Sequence, residues 1–212
     1  MEKPRFEIAQ NLAWDALTEH TDGTFPINLY GTIGTIPDLK IKTYSEWADE
    51  LLRRKEVLEL GLTNRQQLID CLGSNDSVLI ANHTDNIILY DETKEITQCR
   101  WNVAHELGHY FLGHGGSFGH GGSESYEVQE KEANYFARQL LTPIPIVTKI
   151  IKSGESFNDI SSLADFFWVS YSVMNYTIDN IRKMPFYIIS LELENKFGPF
   201  IADMLTGRKK IS

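Results

Sequence analysis

Residues His105-Glu106-Leu107-Gly108-His109 spell H-E-x-x-H within the run RWNVAHELGHYFLGH, Arg100 to His114. On a helix, residues four apart lie about 40° from each other, so both imidazoles share one face and can reach one metal ion at roughly 2 Å. Glu106 lies about 100° round from His105, off the ligand face but within reach of a water on the same metal, where a general base belongs. Ala104, Leu107 and Phe111 gather on the far side, about 200–260° from His105, which predicts a buried apolar back and a metal-facing front.

A zinc site needs a third protein ligand. The H-E-x-x-H-x-x-G-x-x-H pattern fails, because Leu112 stands at the Gly position and Gly115 at the final His. His114 is one residue early, about 140° from His109 on a continued helix. The remaining source is a carboxylate on a second helix, and Glu124 to Leu141 offers Glu124, Glu127, Glu130 and Glu132. Glu130 has Asn134 one turn on, so Glu130 can face the metal while Asn134 steadies a ligand imidazole. Glu132 points about 200° away from Glu130 and is the second candidate. Ala133, Phe136 and Leu140 form the apolar stripe of this helix, flanked by Ala137 and Leu141.

AHELGHYFLGH followed by EKEANYFARQLLTP resembles the ImmA/IrrE family of metallo-endopeptidases. The likeness is densest over Arg100–Pro143 and extends more weakly to Ala13–Tyr30 and Ser161–Ile181. It implies zinc, one per chain, held by His105, His109 and Glu130, with Glu106 as the catalytic general base. Family members often carry Phe-Thr-Ile before the Ala-His and Met before the last Pro. Trp101-Asn102-Val103 and Thr142 stand there instead, which spares the ligands and bears on the cleft wall.

The chain has 212 residues, 42% of them hydrophobic, enough for one compact domain over residues 1–212. It divides into an N-terminal helix and sheet part to about residue 95, metal-site helices over about 96–143, and C-terminal helices with a late strand over about 144–212. The net charge of −9 argues against a general nucleic-acid binder. With two cysteines, Cys71 and Cys99, and no C-x-x-C, a reducing compartment fits better than a disulfide framework. MEKPRFEIAQ has no apolar signal-peptide core, and no apolar run is long enough for a membrane span. The expected location is cytoplasmic.

Pro4–His20 has helical spacing of Phe6, Ala9, Leu12, Ala13 and Leu17. Pro26–Tyr30 starts a short element after a turn. Leu39–Tyr44 alternates as a strand, and Ser45 is placed to cap a helix through about Glu56, with Trp47, Leu51 and Leu52 inward. Thr63 or Asn64 caps another, ending near Gly73. Ser77–Ala81 and Ile87–Tyr90 form a hairpin leading into the metal helix, with Ile87–Tyr90 a candidate to pair with a substrate backbone. Gly115–Gly122 is either a rim over the cleft or a plain linker, and His114 and His120 read as solvated loop histidines, with contact to substrate or a second metal as the alternative. Ser161–Ile181 has the outline of a helix-turn-helix. With basic residues only at Arg182 and Lys183 it suits the core better than a DNA groove. Pro185–Glu192 reads as a late strand, and Gly207–Lys210 as a solvated basic end.

These features predict an α+β, zincin-like metallopeptidase fold, mainly helical, with a small mixed or antiparallel sheet beside the H-E-x-x-H helix. The resemblance implies a cytoplasmic zinc endopeptidase whose substrate is a separate helix-turn-helix repressor of a mobile element, phage or stress response. No direct nucleic-acid or membrane partner is expected. Tyr126, Tyr135, Tyr171 and Tyr176 are candidate oxyanion donors. The alternative is a metal-stabilised module that binds a repressor or other protein without cutting it.

Overall fold

A computed structural model describes residues 3–73, 75–81, 85–114, 124–153, 159–184 and 188–209. The first helix, α1 (Phe6–His20), buries Ala9, Ala13, Ala16 and Leu17. Their i, i+4, i+7, i+8 spacing makes one apolar stripe, and three alanines let the helix sit close against its neighbours. After α2 (Leu29–Gly34) comes β1 (Leu39–Thr43), which runs directly into α3 (Tyr44–Leu51). Thr43, not Ser45, caps α3: its hydroxyl accepts from the Glu46 amide while the Glu46 carboxylate accepts from the Thr43 amide. This reciprocal pair satisfies two amides at the helix start. The helix expected to reach Glu56 instead breaks after Leu51 and resumes as α4 (Lys55–Glu59). Asn64 caps α5 (Arg65–Asp70), accepting from the Gln67 amide at 3.0 Å.

Strands β2 (Ser77–Ile80) and β3 (Asn86–Tyr90) pair antiparallel, with Ser77 opposite Tyr90. β1 pairs with β3 in parallel, Leu39 opposite Asn86, so the sheet is mixed and its order is β1-β3-β2. β3 is therefore central. Ile88 faces the main core, and Leu89 faces a smaller one with Tyr44, Leu72 and Val78. The expectation that Ile87–Tyr90 receives a substrate strand is wrong, because both of its backbone edges are already paired. The edge strand nearer the metal helix is β2.

α6 (Ile96–Phe111) carries H-E-x-x-H, and α7 (Glu124–Leu141) crosses it. The crossing is close because Gly108 has no side chain: a Cβ there would lie 2.9 Å from both the Cα and the carbonyl oxygen of Ala133. Ala104 and Leu107 on one helix and Ala133, Phe136, Ala137, Leu140 and Leu141 on the other are all at most 1% exposed. Phe111 and Phe136 stack with centroids 5.4 Å apart.

Helices α8 (Ile144–Lys152), α9 (Ile160–Phe167), α10 (Tyr171–Lys183) and α11 (Leu191–Lys209) close the structure. Phe167, Val169, Met174 and Ile178 enter the main core, so the pair resembling a helix-turn-helix spends its apolar faces on this core. No strand forms over 188–192: residues 188–190 are irregular, and Leu191 opens α11. The rest of that expected strand, 185–187, lies outside the described residues, as do 115–122 with His120. Leu193, Phe197 and Ile201 repeat every four residues and are buried, a helical period that overrides the β-branched Ile188-Ile189. No helix of the described residues is long and apolar enough to cross a membrane.

Candidate metal centre

α6 presents His105 and His109 on one face, and α7 brings Glu130 to meet them. His109 Nε2 lies 3.0 Å from His105 Nε2. Glu130 Oε2 is 3.3 Å from His105 Nε2, and Oε1 is 3.1 Å from His109 Nε2. Ligand atoms held tetrahedrally at about 2.0–2.1 Å from one ion stand roughly 3.3 Å apart. Two imidazole nitrogens and a carboxylate at this separation fit a zinc-like cation. Burial raises the pKa of Glu130, but the two imidazoles outweigh it and hold the carboxyl well below its usual range. Burial likewise disfavours protonated His105, and Glu130 and Glu106 more than offset it, raising its pKa. The ligands thus carry the negative charge that a cation would neutralise.

Both imidazoles turn Nε2 inward, which leaves each Nδ1–H to find a partner. His105 Nδ1 donates to Asn134 Oδ1 at 3.1 Å, the pairing that E-x-x-x-N spacing predicts. His109 Nδ1 donates to His114 Nδ1 at 3.0 Å, and His114 Nε2 donates to Glu132 Oε2 at 3.0 Å. Glu132 also accepts the Arg5 backbone amide at 2.6 Å and its Nη2 at 2.8 Å. Burial pushes the Glu132 pKa up, but the Arg5 and His114 donors bring it down to about 2. Burial also keeps His114 neutral, lowering its pKa despite Glu132.

Glu132, the second candidate for third ligand, is therefore turned away from the ligand cluster. His114 is no solvated loop residue; only 5% exposed, it braces His109. Glu127 is exposed, and the side chain of Glu124 lies outside those described. The Arg5–Glu132–His114 chain went unread in the sequence. Its ends are 127 positions apart for Arg5 and Glu132, and no periodicity links them.

Glu106 is 3% exposed, and its Oε1 accepts from Ser77 Oγ at 2.8 Å. The bond ties the candidate base to the first residue of β2. Asn75, Ser77, Trp101, Tyr126 and Asn134 join His105, Glu106 and Glu130 around a cleft of about 220 Å³. Of the four tyrosines considered, Tyr126 lines this cleft; burial and the Glu130 charge raise its pKa. Tyr135 instead packs on Phe6 and bonds Gln10, Tyr171 is exposed, and Tyr176 stacks on Arg138.

A mainly helical α+β fold with a small mixed sheet beside an H-E-x-x-H helix, and a carboxylate from the next helix meeting its two histidines, defines a zincin-like metallopeptidase fold. The family model described as IrrE N-terminal-like domain, peptidase M78, matches residues 69–179, more than half of the chain. The protein belongs to this ImmA/IrrE metallopeptidase family. Comparison with curated proteins finds no match.

Proposed function

We propose that the protein is a zinc-dependent endopeptidase that hydrolyses a peptide bond in a protein partner. The observation that supports this reading best is the convergence of His105, His109 and Glu130 ligand atoms, all within 4.8 Å of one another, with His105, Glu130 and Glu106 lining one cleft. His105, His109 and Glu130 would hold zinc, which when bound supplies Lewis acidity that lowers the pKa of water from about 15.7 toward roughly 7 and polarises a carbonyl. Glu106 takes the proton of the attacking water as the carbon–oxygen bond forms, then delivers it to the departing amine as the carbon–nitrogen bond breaks. Ser77 holds Glu106 in place through its hydroxyl, and Asn134 and His114 hold the imidazoles in the required tautomer. Tyr126 is the tyrosine that lines this cleft and would donate to the developing oxyanion.

An extended peptide laid along the Asn75–Val78 wall would run beside β2 and past Glu106, which transfers the strand-addition role from β3 to β2. The partner we favour is a helix-turn-helix repressor encoded separately, a step that rests on family resemblance. Two free cysteines fit a reducing, cytoplasmic setting.

The test is elemental analysis combined with Glu106→Gln. The reading expects one zinc in both proteins, with cleavage of a proteome-derived peptide mixture by the wild type and not by the variant. Equal cleavage by both, or no metal after zinc is supplied at neutral pH, would falsify it. Zinc without cleavage, together with capture of a repressor, would instead support a binding module.

A further inference from the structure

Beside the metal cleft lies a second cavity, of about 500 Å³, whose walls include Trp101, Arg138, Tyr176, Ser170 and Ser172. Trp101 lines both spaces. They also meet where Gln98 Nε2 donates to Asp76 Oδ2 at 2.7 Å, since Gln98 lines the second cavity and Asp76 the metal cleft. We propose that this cavity is a recognition subsite that takes one carboxylate of the substrate peptide on Arg138. The proposal rests on the peptidase reading for its substrate, and its test separates the two.

Arg138 is held as a ligand-reading arginine would be. Its guanidinium carbon lies 3.8 Å from the Tyr176 ring centroid and 5.9 Å from that of Trp101. Aromatic rings on its faces fix the plane of the fork and leave its edge for an in-plane, two-toothed acceptor. Its Nε is buried without a hydrogen-bond partner among the described residues. Burial lowers its pKa, and tyrosines, not carboxylates, are the neighbours that offset the shift. This is unexpected in a chain with 29 acidic residues and 20 lysines and arginines. Arg5, Arg54 and Arg65 each have a carboxylate partner, while buried Arg100 donates to two backbone carbonyls. A partly desolvated cation with no carboxylate partner among the described residues is costly, and an incoming carboxylate relieves that cost.

The surroundings limit the anion. Ser170 and Ser172 at the start of α10, their hydroxyls 2.9 Å apart, add neutral polar groups to the wall. Glu95 stands exposed at the rim and would repel a multiply charged group. One unpaired guanidinium with an acid nearby favours a monoanion over a phosphate. In a peptide that monoanion is either an Asp or Glu side chain or the C-terminal carboxylate.

The experiment is a cleavage profile by mass spectrometry. Zinc-loaded wild type, Arg138→Gln and Arg138→Glu each act on one proteome-derived peptide mixture, with free and with amidated C-termini. Wild type is expected to favour a carboxylate, either an Asp or Glu side chain or the free C-terminus, at one fixed position from the cut. That preference falls roughly 10–100-fold in Arg138→Gln and shifts toward Lys or Arg in Arg138→Glu, with zinc content unchanged in both. A preference abolished by amidation assigns the subsite to the C-terminus, and one indifferent to it assigns an internal acid. Cleavage by wild type with no preference for a carboxylate at a fixed distance, whether side chain or free C-terminus, or a preference that survives in Arg138→Gln, overturns the proposal.

If zinc-loaded wild type cuts nothing, the peptidase reading fails and direct binding decides the subsite. Acetyl-Ala-Glu-Ala-amide and acetyl-Ala-Ala-Ala carboxylate would be titrated calorimetrically against wild type and Arg138→Gln. Binding of either probe by wild type alone sustains the subsite, and no difference between the proteins overturns it.

Discussion

His114 Nε2 lies 3.0 Å from Glu132 Oε2, and both side chains are buried on the far side of His109 from the ligand cluster. The pair fixes which nitrogen of His109 carries its proton. Glu132 accepts from His114 Nε2, so His114 Nδ1 is left to accept from His109 Nδ1, and His109 Nε2 is free to bind a cation. Arg5 anchors the chain from just before α1, so the N-terminal segment helps hold the metal helix.

His114→Ala removes the acceptor for His109 and leaves Glu132 with Arg5 alone. Zinc affinity, measured by chelator competition, should fall about 10–100-fold, while helix content by circular dichroism stays near the wild-type value. An unchanged affinity would show that His109 needs no such brace.

Glu130→Ala and Glu106→Gln should separate binding from chemistry. The first removes a ligand and should lose most of the metal. The second should keep the metal and lose hydrolysis by about 10²–10⁴-fold, the usual contribution of a positioned base. Metal analysis beside a peptidase assay distinguishes these patterns.

Gly108→Ala sets two effects against each other. Alanine favours the helix by up to about 1 kcal/mol. A Cβ 2.9 Å from the Ala133 backbone forces α6 and α7 apart, and overpacking of this kind costs about 1–3 kcal/mol. The contact should win, lowering the thermal midpoint by several degrees, with weaker zinc binding because Glu130 moves away with α7. A midpoint at or above wild type would show that the crossing can relax.

Acid should expose the role of Glu132. Its folded pKa is depressed to about 2 from an ordinary 4.5, so the stability it contributes is full above about pH 5 and is lost as pH falls from 4.5 toward 2. Denaturant unfolding of metal-free wild type and Glu132→Gln should therefore differ most near neutral pH and converge toward pH 2. A gap independent of pH would mean that shape, not charge, explains the variant.

Local chemistry made much of this legible beforehand. H-E-x-x-H dictates a shared helical face, and E-x-x-x-N placed Glu130 and Asn134 together, because a helix puts residues four apart side by side whatever surrounds it. The hairpin and the apolar stripes of α6 and α7 were readable for the same reason. Where short-range signals competed, the reading failed. Thr43 took the cap that Ser45 also suited, and Ile188-Ile189 looked like a strand until the following four-residue repeat of Leu193, Phe197 and Ile201 placed a helix there.

The amino-acid sequence by itself determined that His105 and His109 share one helical face, that Glu106 stands beside them and that Glu130 and Asn134 share a face of the next helix, since these depend on helical period alone. Tertiary structure decided which strand lies at the sheet edge, that Ser77 holds Glu106, that Arg5 and Glu132 close a chain through His114, and that Arg138 stands between Trp101 and Tyr176 with no carboxylate partner among the described residues. Those relationships join residues from separate elements, and their energies arise from burial and hydrogen bonding that exist only once the elements have packed.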